Sequence, residues 1–299
     1  MYRPTEKDPF IPKAEALDNV QLIDTLLRLA NDDLKTSRLT YERKLYPISV
    51  FHLQQSVEKA AKAFAVWSAP TDSANLKQEV GHNSVRVFIK PLVDTSNAME
   101  LFHYLSTINP AAAEDDFFKN LSSTLAVQNQ QTKKAVELLR NLKNLRLENI
   151  DIDSLDDILY EIGSFQLHGA EKLKINKGDL NKYREQMTKV MGFLEKLDQK
   201  QADELRRALG ELEASGALKA TMRKAIDIYP SLIYLTFALF YLSVILFPHP
   251  VESRYPDQKS NFDPYIRYSS NYPIVVRMNR IQTIVGKALF RFRKLRRSM

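Results

Sequence analysis

Apolar residues recur at helical spacing along most of this chain, and the spacing changes character in a few places. Leu22, Leu26, Leu29 and Leu34 fall near one face and predict a first helix starting between Pro12 and Leu17 and ending about Tyr41. The stretch "RKLYP" (43–47) reads as a break, because Pro47 disfavours a helical residue before it and suits the first turn after it. A second helix is predicted over roughly 47–68. In it Val50, Leu53, Val57, Ala60 and Phe64 step by 3, 4, 3 and 4 and form a face for burial. Beside that face Phe51, Gln55, Glu58 and Lys62 form a second stripe, with Glu58 and Lys62 four apart in the favourable order.

Beyond a polar connector over 68–83, a shorter helix is predicted at 84–107, followed by charged helices near 114–144, 153–166 and 178–225. The acidic run "ENIDIDSLDD" (148–157) lacks the central glycine and closing glutamate of a calcium loop, so Asp151, Asp153 and Asp156 are not read as metal ligands. A helix cap at Asp153 or Ser154 is expected instead. Residues 228–247, "IYPSLIYLTFALFYLSVILF", contain no charge and have the length of a membrane span or of a fully buried core helix. The core reading is preferred, because Arg254 and Asp257 just beyond have to return to the same bundle as the second helix. A membrane-anchored scaffold is the alternative. The final helix sets Met278, Ile281, Val285, Ala288, Phe292 and Leu295 at steps of 3, 4, 3, 4 and 3, with its arginines on other faces.

Composition agrees with an all-α fold. Only 8 of the 299 residues are glycine, and Leu, Ala, Glu and Lys dominate long stretches. There is no cysteine, which removes disulfides, iron–sulfur clusters and thiol catalysis. No glycine-rich phosphate loop is present, and no cofactor or metal is expected. The N-terminus lacks the layout of a secretory signal, so a cytoplasmic location is expected. The net charge of +7 is concentrated at one end. Eight of the 43 Lys and Arg lie within 277–299, where there is no acid, and the remainder nearly balances the 36 Asp and Glu.

Two distant parts of the sequence carry a family resemblance. The segment "LANDDLKTSRLTYERKLYPISVFHLQQSVEKAAKAFAVW" (29–67) resembles the opening helix pair of HEPN domains, small helical proteins named for nucleotide binding in prokaryotes and higher eukaryotes. The matching positions are Ala30, Asp33 and Leu34, then Phe51, His52, Gln54, Gln55, Glu58, Lys59, Lys62 and Ala63. "GHNSVRVFIKPL" (81–92) resembles the next family stretch with Asn83 in place of an acid, and "ESRYPD" (252–257) resembles the Arg-Tyr-Pro before the last helix. The resemblance implies an all-α, HEPN-like helical bundle in two parts, 1–97 and 226–299, with 98–225 a helical insertion. It also implies a homodimer, and a toxin–antitoxin or phage-defence setting.

Many HEPN proteins are metal-independent ribonucleases with an Arg followed after four to six residues by a His. That motif is missing: His52 follows Arg43 with eight residues between, and His82, His103, His168 and His249 have no arginine at the required distance. A non-catalytic protein that binds RNA, a nucleotide or a protein partner is therefore expected, with an atypical ribonuclease as the alternative. His52 and His82 are the weak catalytic candidates. Gln55, Lys59, Lys62 and Arg254 are the candidate ligand contacts, while Gln54 and Glu58 are read as setting helix register. Arg291, Arg293, Lys294, Arg296 and Arg297, in the tail "RFRKLRRSM", are the candidate contacts to nucleic acid or an acidic partner, or a solvated face of a core helix.

Overall fold

The computed structural model describes residues 18–68, 76, 80–81, 83–108, 116–141, 149–167, 185, 188, 192, 195, 199–215, 217–256 and 262–298. Among them the chain is all-α: eight long helices and three single helical turns, without a strand. The long helices are α1 (Asn19–Glu42), α2 (Tyr46–Trp67), α3 (Arg86–Ile108), α4 (Asp116–Arg140), α5 (Ile152–Leu167), α6 (Gln199–Ala214), α7 (Ala217–Ile245) and α8 (Met278–Ser298). The single turns are His249–Glu252, Pro264–Arg267 and Pro273–Val276.

The first pair is sharply delimited. Asp18 accepts from the Gln21 N–H at 2.7 Å while the Gln21 side chain accepts from the Asp18 N–H, a reciprocal cap that fixes the start of α1. The Pro12–Leu17 start expected from periodicity lies outside the described residues. Lys44 takes a left-handed φ of 60° in the turn, and Pro47 sits in the first turn of α2. Small residues then let α1 and α2 approach closely. Ser37 Oγ donates to Ser49 O at 2.9 Å, Ser49 Oγ to Ser37 O at 2.7 Å, and Ser56 Oγ to Ala30 O at 2.7 Å. Gln282 of α8 joins them, its Nε2 donating to Ser37 Oγ at 3.0 Å, so three helices share one buried polar seam.

The predicted faces of α2 and α8 are the ones buried. Val50, Leu53, Val57, Ala60 and Phe64 join Met278, Ile281, Val285, Ala288, Phe292 and Leu295 in a single core. On α1 the buried face is rotated from the expected one. Ile23, Leu27, Ala30, Leu34 and Ser37 point inward, Leu22 and Leu26 flank them, and Leu29 is exposed. Both sets satisfy helical spacing, and the pair contacts of α2 and α8 select the set with the smaller residues.

Residues 228–245 belong to α7, which runs on from the polar stretch before it without a break. Tyr234, Leu235, Ala238, Leu239, Leu242 and Ile245 are buried in the common core. Another side of α7 is covered by the α3–α4 pair, where Phe240, Val244 and Phe247 meet Val85, Ile89, Leu92 and Leu139. Among the described residues no helix is long and apolar enough to cross a membrane. The described side chains of the uncharged run thus pack against protein, as the core reading expects.

Helix α5, inside the stretch 98–225, contributes Leu155, Leu159 and Ile162 to that same core. Its cap is earlier in the chain than expected: Asp151, not Asp153 or Ser154, accepts from the Ser154 N–H at 2.7 Å and from Ser154 Oγ at 2.9 Å. Asp156 is also occupied. Arg277 Nε and Nη2 donate to its two oxygens at 2.8 and 2.5 Å, and Arg280 Nη1 adds a third contact at 3.0 Å. The hydrogen bond from Arg277 is the main reason the Asp156 carboxyl is held below its ordinary range.

Candidate functional site

The polar strip of α2 is tied together internally. Asp33 of α1 points between His52 and Lys59: its Oδ1 lies 3.0 Å from His52 Nδ1, and its Oδ2 accepts from Lys59 Nζ at 2.6 Å. Lys59 also donates to Gln55 Oε1 at 3.2 Å, and Gln55 Nε2 donates to Gln54 Oε1 at 2.7 Å. Gln54 Nε2 reaches Glu58 Oε2 at 3.1 Å, and Lys62 Nζ donates to Glu58 Oε1 at 2.7 Å. The Glu58 side chain is only 3% exposed, so its charge depends on these donors. These bonds of Gln54 and Glu58 stay within α2, and Asp33 supplies the contacts that cross from α1. The network also occupies the ammonium groups of Lys59 and Lys62, whose side chains are 23% and 18% exposed.

A second group gathers where the segment after α7 crosses α2. The Arg254 guanidinium lies 4.8 Å from the Phe51 ring centre and 5.0 Å from that of Tyr255, and its Nε donates to Pro250 O at 2.8 Å. The fold therefore joins the "ESRYPD" stretch to the start of "FHLQQSVEK", about two hundred residues away in sequence. Behind Arg254, His249 is wholly buried, with Nδ1 2.8 Å from the Tyr268 hydroxyl and Tyr272 packed edge-on. Burial, reinforced by the Arg267 charge, pushes the His249 pKa down to about 3, so this imidazole is neutral. Burial likewise pushes the Tyr268 hydroxyl upward. His82 lies outside the described residues.

The basic C-terminal residues separate into different environments. Arg291 is laid over the Tyr234 ring of α7 at 4.2 Å, so it serves the packing of α8 on α7. Lys294 is exposed. Arg293, Arg296 and Arg297 instead line an open cleft of about 590 Å³ between the first turns of α1 and the last turns of α8. Arg28 of α1 lines it from the opposite side, with Asp24 one turn before. Arg293 Nη2 donates to Leu27 O at 3.1 Å, and Arg296 pairs with Asp24. Among the described residues, Arg28 and Arg297 have neither a hydrogen bond nor an ion pair. Among the described residues four guanidiniums and one carboxylate line this cleft, which gives it a positive lining.

Of the basic candidates Arg291, Arg293, Lys294, Arg296 and Arg297, three line the cleft, and Arg28 and Asp24, which the sequence did not single out, line it with them. Nothing in one dimension connects residue 28 to residue 293. Only the antiparallel docking of α8 along α1 does so, anchored by buried Leu27 and Phe292.

Residues 23–71 match the family model described as the HEPN domain, and no curated protein or solved structure matches the chain. The match contains the whole of "FHLQQSVEKAAKAF" with Asp33 from the facing helix, so the network just described lies within the segment that is similar to HEPN domains. The match lies in the first of the parts that resemble the family and does not include 81–92 or 252–257.

Proposed function

We propose that this chain, a HEPN-domain protein over residues 23–71, is a non-catalytic binding or regulatory protein whose ligand is RNA or a nucleotide. The family match supports a nucleotide- or RNA-related role in general. The observation that carries the finer reading is the convergence of Arg28, Arg293, Arg296 and Arg297 on one cleft between α1 and α8. Polyanions bind such arrays through phosphate contacts and counterion release. In this reading the α2 network, including Gln55, Lys59 and Lys62, braces the helix pair, and Arg254 holds the following segment against Phe51. Among the described residues no histidine lines the arginine cleft. A cytoplasmic setting completes the proposal, with a homodimer and a place in toxin–antitoxin or phage defence resting on the family resemblance.

One geometry favours the ribonuclease alternative. Asp33 holds His52 Nδ1 at 3.0 Å beside Lys59, an oriented imidazole next to a cation, and His52 is 26% exposed. Incubating the purified protein with single-stranded RNA and a chelator separates the two. RNA that is retained on the protein and stays intact is the expected result. Cleavage that is abolished in His52→Ala would replace the binding reading with the catalytic one.

A further inference from the structure

We propose that the α1–α8 cleft is a receptor for a terminal phosphate, a phosphomonoester dianion, rather than a track for the internal phosphodiesters of a nucleic acid. This rests on the reading above that the basic end of α8 meets RNA or a nucleotide, and it specifies which part of that ligand is held.

The cleft is concave and two-sided. Arg28 stands on the α1 side, and Arg293, Arg296 and Arg297 stand on the α8 side. A phosphodiester track needs charges spaced along a surface, whereas these are gathered from two helices onto one volume of about 590 Å³, the size of small-ligand sites. The guanidiniums differ in readiness. Arg293 is fixed by its bond to Leu27 O and Arg296 by Asp24, so both are held in place before any ligand arrives. Arg28 and Arg297, with no partner among the described residues, keep all their donors for an incoming anion. A phosphomonoester presents three acceptor oxygens and a charge near −2 at neutral pH, whereas an internal diester presents fewer free oxygens and a single charge. Forked donors arriving from both sides therefore discriminate in favour of the monoester.

Among the described residues the side chains lining the cleft include no aromatic ring, so none of them stacks on a base in the manner of single-strand binders. Recognition falls on the phosphate and is indifferent to sequence. Asp24 fits this role as well. Its carboxylate pairs with Arg296 at the rim and raises the charge an incoming anion needs in order to compete there.

The test compares two fluorescent single-stranded RNAs of one sequence, one with a 5′-phosphate and one with a 5′-hydroxyl, binding the full chain by anisotropy. Nucleoside monophosphate and inorganic phosphate are used as competitors. The 5′-phosphorylated RNA is expected to bind about tenfold more tightly, as charge-assisted contacts to one extra dianion require. Arg28→Gln and Arg297→Gln, both on exposed side chains, are expected to erase that preference while thermal unfolding stays unchanged. Competition by the nucleoside monophosphate at concentrations where inorganic phosphate is ineffective would identify a free nucleotide as the source of the same dianion. Equal binding of the two RNAs, weakened by both variants, would overturn the terminal-phosphate inference and leave RNA binding standing. Failure of either RNA and of the monophosphate to bind would overturn both.

Discussion

Arg296 of α8 is paired with Asp24 of α1, two residues 272 positions apart that meet at the rim of the arginine cleft. The pair closes the bundle at that corner and sets the charge of the cleft. An exposed ion pair of this kind contributes about 0–1 kcal/mol to folding, so its larger effect is on what the cleft binds.

Asp24→Asn removes the one carboxylate among the described residues lining the cleft while leaving Arg28, Arg293, Arg296 and Arg297 in place. Phosphate-bearing ligands are expected to bind several-fold more tightly to this variant at low salt, with the gain shrinking as salt rises. The melting temperature should change little. Titrations of wild type and variant at two salt concentrations check both statements, and weaker binding in the variant would mean that Asp24 takes part in recognition.

Glu58 holds the α2 network from a nearly closed position, with Lys62, Gln54 and Gln55 around it. Glu58→Ala is expected to destabilise the protein by about 2–4 kcal/mol, because it leaves a half-buried ammonium and two amides without their shared acceptor. Glu58→Gln keeps the acceptor oxygen and should lose less than half of that. Urea unfolding of the two variants measures the difference. Equal, small losses would show that the network is decorative rather than structural.

His249 gives the fold a defined acid sensitivity. Its folded-state pKa is lowered to about 3 from an ordinary 6.5, so the unfolded chain binds a proton there that the native state refuses. The resulting stability is complete above pH 6.5 and is lost as the pH falls towards 3. Between pH 7 and pH 5 this one group is expected to cost about 2 kcal/mol. His249→Asn, which keeps a polar atom towards the Tyr268 hydroxyl, should be less stable at pH 7 and should lose most of that slope. Urea unfolding of both proteins from pH 7 to 5 checks it, and a wild-type stability that stays flat over that range would contradict the assignment.

Periodic patterns alone located most of the helices. The faces of α2 and α8 were legible because their apolar residues repeat at 3 and 4 with no competing stripe. On α1 two stripes satisfy the same spacing, and only the docking of α2 and α8 selects Ile23, Leu27, Ala30 and Leu34 over Leu29. The uncharged run of α7 was ambiguous for a different reason. A helix surrounded by protein and one surrounded by lipid need the same residues, and the α3–α4 pair that covers α7 comes from elsewhere in the chain. Within the site, the Glu58–Lys62 contact could be read from an i,i+4 spacing. The Asp33–Lys59 contact and the cleft shared by Arg28 and Arg297 depend on helix pairing and could not.

The measurement that tests the central claim most directly is the salt dependence of RNA binding by wild type and by Arg293→Gln/Arg297→Gln. If the cleft meets phosphate, the logarithm of the binding constant falls linearly with the logarithm of salt, and the double variant shows a slope shallower by about 1–2. Its affinity at low salt should also fall by at least about tenfold. A wild-type protein whose RNA affinity does not vary with salt, or a variant with unchanged slope and affinity, would contradict the account.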